Sequence, residues 1–184
     1  MGLWMIQSIR RELNGVAYVE GKTSKYATGR TWSFPDLIDV ARSSSDFPSV
    51  VDANDDSFLA PESMIDAIKT YCAKTDQLVP VTVGEIMQCV YKSLAKCYKD
   101  AIEGLSALTG KTYTSINIVG GGCQDMYLNQ MTADATGLPV YAGPVEGTAI
   151  GNLVIQMIAG QEFDGLQSAR DAIKSSFDIK EVKP

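Results

Sequence analysis

The chain reads as an α/β fold, helix-rich with a small parallel sheet. Apolar residues recur at helical spacing through most of its 184 residues. Two short apolar runs, 115–119 and 139–142, each lead through a glycine turn into a helical pattern. Short links from strand to helix and back imply parallel pairing.

Leu3, Ile6, Ile9 and Leu13 predict a helix over 2–13, closed by Asn14-Gly15. Residues 15–31 are polar and glycine-rich and read as a surface loop. Ser33 suits the cap of a short helix with Phe34, Leu37, Ile38 and Ala41 on one face. Residues 42–60 form another loop. Pro61 fits the first turn of a helix to about Lys74, with Met64, Ile65, Ile68 and Cys72 inward. Thr82-Val-Gly-Glu85 is a capping box, in which hydroxyl and carboxylate serve each other's backbone amides. It opens a long helix, where Ile86, Val90, Leu94, Cys97, Ala101, Leu105 and Leu108 keep the spacing until Gly110. After the strand at 115–119 come Gly120, Gly121 and Gly122. A helix from about Gln124 to Thr136 carries Tyr127, Leu128, Met131 and Ala135 and stops at Gly137. The second strand, 139–142, turns at Gly143-Pro144 into a helix over 145–159, and a last helix spans 166–176. Two parallel strands cannot cover their own edges. Either further strands lie within 15–31 or the chain is part of a larger fold.

Bulk composition narrows the function. Hydrophobic residues make up 45% and charged residues 21%, which supports one ordinary domain or most of one. The net charge of −6, with Lys and Arg scattered, argues against a nucleic-acid backbone or an anionic membrane as partner. No apolar run reaches the ~20 residues of a membrane span, and the N-terminus lacks the pattern of a signal peptide. Cys72, Cys89, Cys97 and Cys123 form no Cys-x-x-Cys pair and read as reduced thiols of a cytoplasmic protein, with a Cys72–Cys89 disulfide as the alternative. The chain has no histidine, which excludes Ser-His-Asp and Cys-His arrangements and any His-ligated metal.

The glycine turn is the strongest candidate site. Three glycines after a strand let another group approach the backbone closely, and the following helix points unpaired N–H groups into the same space. That pattern suits a nucleotide; the competing reading is a tight packing turn. Other motifs are weaker. Gly104 to Lys111-Thr112 has five residues between its glycines and follows a helix, so a helix end explains it better than a phosphate loop. Gly120-Gly-Gly-Cys-Gln-Asp125 lacks the third glycine of a dinucleotide fingerprint. Asp52-Ala-Asn-Asp-Asp56 lacks the glycine and glutamate of a calcium loop. Gly147 and Gly151 give one bare helix face, expected to lie close against a neighbouring element. Cys123 has no base to activate it and reads as a small packing residue.

Three segments together carry a resemblance: Ile118-Val-Gly-Gly-Gly-Cys-Gln-Asp125, Leu128-Asn-Gln-Met-Thr-Ala-Asp-Ala-Thr-Gly-Leu-Pro-Val140 and Ala142-Gly-Pro-Val-Glu-Gly-Thr-Ala-Ile-Gly-Asn152. They resemble the C-terminal part of the FGGY carbohydrate kinases, in the actin/hexokinase-like ATPase superfamily. Ala142 to Glu146, the Gly2-Leu3-Trp4 start and the run Asp52 to Pro61 resemble the rhamnulokinase branch. The resemblance covers nearly the whole chain and is least clear over 15–32. It implies a partial ribonuclease H-like (actin-like ATPase) domain over 1–184, incomplete at its N-terminus, with the opening antiparallel strands missing. It implies ATP or ADP with Mg²⁺ as ligands, and Gln7, Gly120, Gly121, Gly122 and Asp125 as the nucleotide-contacting positions. The family usually has Asn where Asp125 stands, and an acid there repels a polyphosphate. No catalytic or metal-ligating residue is assigned: the catalytic aspartate, phosphate loops and sugar domain of such kinases precede this segment. The expected partners are an adenine nucleotide and the missing N-terminal half. The piece alone is expected to be inactive. The alternative is a non-catalytic interaction module that self-associates through exposed edges.

Overall fold

The computed structural model describes residues 2–17 and 22–184. Packing divides the chain into two compact units, 1–100 and 101–184. Part of the expected 15–31 loop, residues 18–21, lies outside the described residues, as does Met1. Around it, Val16 and Thr23 form an isolated antiparallel bridge.

In the first unit, α1 (Trp4–Leu13) buries Met5, Ile6, Ile9 and Leu13 along one side, as its spacing dictates. It ends at Asn14, whose side chain ties the loop back: Nδ2 donates to the Trp32 carbonyl at 3.1 Å and Oδ1 accepts the Trp32 N–H at 2.7 Å. α2 (Phe34–Arg42) starts from Ser33 in a full capping box with Asp36. A single 3₁₀ turn, Asp56–Phe58, follows in the stretch expected to be all loop and buries Phe58 completely. α3 (Met64–Lys74) is capped by Ser63, so Pro61 lies outside the helix that it was expected to open. Met64, Ile65, Ile68 and Cys72 do face inward. α4 (Val83–Thr109) begins with the expected box: Glu85 Oε2 accepts the Val81 and Thr82 amides at 2.7 and 2.8 Å, and Glu85 N–H donates to Thr82 Oγ1 at 3.2 Å. Its buried residues run from Gly84 to Ala95. Gly84 has to be glycine, since a Cβ would meet Ser44 Oγ at 2.3 Å and the Val40 carbonyl oxygen at 2.5 Å. The Cys72 and Cys89 thiols are buried, free and hydrogen-bonded to each other.

In the second unit, the apolar series on α4 continues into solvent rather than a core. Leu105 and Leu108 are 48% and 84% exposed, so helical spacing there gave the helix but not its burial. The sheet holds β1 (Ile116–Ile118), β2 (Val140–Ala142) and β3 (Lys180–Val182) in the order β1-β2-β3. The β1–β2 pair is parallel with Ile116 opposite Val140. The sheet is nonetheless mixed, not parallel, because β3 pairs antiparallel with β2, Val182 opposite Val140. The third strand thus comes from the C-terminal end and not from 15–31. α5 (Met126–Thr136) packs on the sheet through Ala133, against Val140 and Val182. Its inward face differs from the expected one: of Tyr127, Leu128, Met131 and Ala135 only Leu128 is buried, together with Asn129, Thr132 and Ala133. Thr132 is accommodated because its hydroxyl donates to the Leu128 carbonyl at 2.7 Å. α6 (Gly147–Ala159) and α7 (Leu166–Ser176) complete the unit. Among the described residues, no helix is long and apolar enough to cross a membrane.

Candidate functional site

The glycine turn leaves the C-terminal end of β1, the end at which ligands bind in parallel α/β sheets. Gly120 has φ +79°, a conformation that side chains rarely adopt. Its N–H donates to the Pro144 carbonyl at 3.0 Å, and the Gly143 N–H donates to the Ile118 carbonyl at 2.8 Å. These two bonds stitch the turn after β1 to the turn after β2. Gly121–Gln124 then wind one 3₁₀ turn, closed by Cys123 N–H on the Gly120 carbonyl at 3.1 Å. α5 therefore starts at Met126 rather than Gln124. Gly121 is exposed, and a Cβ added to it would meet no atom within 4 Å. Its backbone is thus open to an incoming group. Val119 and Val145, 55% and 40% exposed, give this region apolar flanks.

Asp125 caps α5: its Oδ1 accepts the Leu128 N–H at 3.0 Å. Cys123 is buried, as expected of a packing residue. Gly147, at the start of α6, presses on the strand end, where a Cβ would lie 2.8 Å from Val119 Cβ. Gly151 does not share this role, for a Cβ there would meet nothing within 4 Å. Hence only half of the expected bare helix face is a close contact. Gly120, Gly121, Gly122 and Asp125 are contiguous in this one turn of the second unit. Gln7 stands exposed on α1, in the first unit. Sequence reasoning missed Asn129, which is fully buried and donates through Nδ2 to the Cys123 carbonyl at 2.8 Å. Its only signal in the sequence is a polar residue directly after the inward-facing Leu128.

The weaker motifs resolve as local structure. Gly110, with φ +67°, ends α4, so the stretch from Gly104 to Lys111 is a helix end. Asp52 and Asp55 accept the Asn54 and Ser57 amides at 2.9 Å each, the bonds of a solvated turn. Among the described residues, no group of three His, Cys, Asp or Glu is placed to hold a metal ion. The first unit has an open pocket of about 810 Å³ walled in part by Glu12, Lys25, Tyr26, Asp66 and Tyr71. Asp66 is already engaged there, by Lys25 at 2.7 Å and the Tyr26 hydroxyl at 2.6 Å.

Residues 1–160 match the model of the FGGY family of carbohydrate kinases, C-terminal domain. Among curated proteins, the chain is 42% identical over 180 residues to a rhamnulokinase of Halalkalibacterium halodurans, covering 98% of this chain and 35% of the relative. It is 39% identical over 184 residues to a rhamnulokinase of Bacillus subtilis, covering 100% and 35%. It is 41% identical over 179 residues to one of Oceanobacillus iheyensis, covering 97% and 35%. The chain thus spans about a third of the length of the curated relatives it matches. With a match over most of its residues, the chain belongs to the FGGY family of carbohydrate kinases and corresponds to the C-terminal domain of that family.

Proposed function

We propose that the chain is the nucleotide-binding part of a rhamnulokinase-type sugar kinase, which moves the γ-phosphoryl group of ATP onto the 1-hydroxyl of L-rhamnulose with Mg²⁺. The observation that carries this is the open backbone at Gly121, at the end of β1, in a chain whose relatives are rhamnulokinases. On this reading residues 1–184 are one C-terminal domain of the ribonuclease H-like, actin-like ATPase fold. The opening antiparallel strands of that fold, the catalytic base and the sugar pocket belong to polypeptide outside this chain. Gly120, Gly121 and Gly122 receive the adenosine, and Gln7 is a further nucleotide contact. Asp125 contributes chiefly by capping α5, because its carboxylate is turned to the Leu128 amide. Phosphoryl transfer needs both substrates and the metal held in line, so the chain alone binds without turning over.

Calorimetry on the 184-residue chain tests the binding half. A saturable MgADP signal with Kd on the order of 1 mM, about −4 kcal/mol, is expected. No saturable heat at several millimolar nucleotide refutes it. Rhamnulose-dependent ADP formation by the purified chain refutes the inactivity. A second reading, a kinase-derived interaction module, draws on the exposed Leu153 (58%) and Ile155 (60%) of α6 and on the outer edge of β1, which is unpaired among the described residues. Light scattering separates the two: concentration-dependent assembly favours the module, and a folded strict monomer counts against it.

A further inference from the structure

A turn built from three glycines has no side chains with which to hold its own shape, and glycine loses more backbone freedom on ordering than any other residue. Its conformation must be imposed from outside. Three of the restraints are backbone bonds: Gly120 N–H to the Pro144 carbonyl, Cys123 N–H to the Gly120 carbonyl and Asp125 N–H to the Gly122 carbonyl. A fourth is a side chain: Asn129 Nδ2 donates to the Cys123 carbonyl at 2.8 Å. The Cys123 residue is thereby gripped on both sides, with Gly121 and Gly122 lying between the anchored points. Asn129 is an expensive residue for a core. It is 0% exposed, and its Oδ1 is buried with no hydrogen-bond partner among the described residues. A buried, unpaired acceptor destabilises a protein, and an aliphatic side chain at this place would avoid it. Core stability therefore does not explain the amide; what Nδ2 does at the turn does.

We propose that Asn129 is a positioning residue for the nucleotide seat: its buried amide fixes the Cys123 carbonyl and so holds Gly121 and Gly122 in the open conformation that receives an adenine nucleotide. The ligand half of this rests on the function proposed above; the clamp itself does not. Asn129→Leu and Asn129→Ala remove the donor with opposite changes in volume, so an effect common to both belongs to the lost bond. Thr132→Val is the control, since Thr132 is equally buried on α5 but bonds only within its helix.

Amide hydrogen exchange on the free chain is read at Cys123 and Asp125, whose N–H groups close the turn on Gly120 and Gly122. Exchange at these two amides should quicken about fivefold or more in the Asn129 variants, as expected for loss of one buried bond. Amides after Thr132 should stay at the wild-type rate. MgADP affinity should fall by a similar factor, and Thr132→Val should change neither reading. Wild-type exchange at the turn in any Asn129 variant that keeps the native circular dichroism spectrum overturns the proposal. So does failure of both variants to fold, which would make Asn129 a general folding residue. If the unmodified chain binds no MgADP, the nucleotide reading fails by itself and the exchange data still decide the clamp.

Discussion

Replacing Glu12 by alanine should strip the first turn of a helix other than its own of a hydrogen-bond acceptor. Glu12 lies on α1, only 5% exposed, and its carboxylate reaches the start of α3. It accepts the Ser63 hydroxyl at 2.5 Å, the Met64 N–H at 2.6 Å and the Ile65 N–H at 3.4 Å. Alanine orphans the Met64 amide and the weaker Ile65 contact beside residues that are themselves buried. A buried donor left unmade costs about 1–3 kcal/mol and the lost bond from the Ser63 hydroxyl about 1 kcal/mol, so the total comes to about 2–4 kcal/mol. The two tryptophans, Trp4 and Trp32, both lie in the first unit, so their fluorescence during urea unfolding reports on it. With m-values of about 1–3 kcal/mol/M, the midpoint should fall by roughly 1–2 M urea. Glu12→Gln keeps a carbonyl for Met64 and should lose much less. pH supplies the second test. Burial raises the Glu12 pKa above 4.5, only partly offset by the bonds from Ser63, Met64 and Ile65. The folded state then holds this proton more tightly than the unfolded chain. The Glu12 contribution is full below pH 4.5 and is lost as pH rises through the folded pKa. The stability of wild type relative to Glu12→Gln should therefore decline above pH 4.5. A midpoint within 0.3 M (roughly 0.5 kcal/mol) for Glu12→Ala, or a wild-type advantage that grows with pH, would refute this account.

Gly147→Ala should cost about 1–3 kcal/mol in thermal unfolding, because the new methyl would sit 2.8 Å from Val119 Cβ at the root of the glycine turn. Gly151→Ala, four residues on and free of contacts, should be neutral or stabilising by up to about 1 kcal/mol. Asp125→Ala should destabilise α5 by about 1 kcal/mol through the lost cap, measured by chemical denaturation. Asp125→Asn should keep the cap and, by removing a negative charge beside a polyphosphate, bind MgADP more tightly in calorimetry. Thiol titration of the native chain should label Cys97, which is half-buried, before Cys72 and Cys89, whose thiols burial pushes up.

What was legible in the sequence was local. The Thr82–Glu85 box closes through bonds within four residues, so it needs no knowledge of the rest of the chain. The stop of α5 at Gly137 is equally local, a left-handed residue at a helix end. β3 was not legible, because Lys180 and Glu181 are exposed and only Val182 is buried. Its existence depends on pairing with β2, about forty residues away, and not on any pattern of its own. The face of α5 was misjudged for a related reason. Asn129 and Thr132 can be buried because the Cys123 and Leu128 carbonyls receive their donors, and a count of apolar residues cannot register that. The three glycines were legible as a turn, but the side chain that bonds to that turn, Asn129, lies in the next helix.

Recognition and chemistry can be separated in this chain on physical grounds. The carboxylate that belongs to the glycine turn, Asp125, is turned to the Leu128 amide and serves as a helix cap. No histidine exists to act as a base in its stead. An open glycine backbone can admit a purine but cannot deprotonate a sugar hydroxyl, and in-line transfer demands a base, a sugar site and a metal held together. On the proposed function, the glycine turn adds affinity for nucleotide without adding rate. Transplanting the turn's substitutions into a full-length kinase should then change the KM for ATP and leave kcat nearly untouched. Equal losses in kcat would mean that the turn takes part in the transition state and that the separation drawn here is wrong.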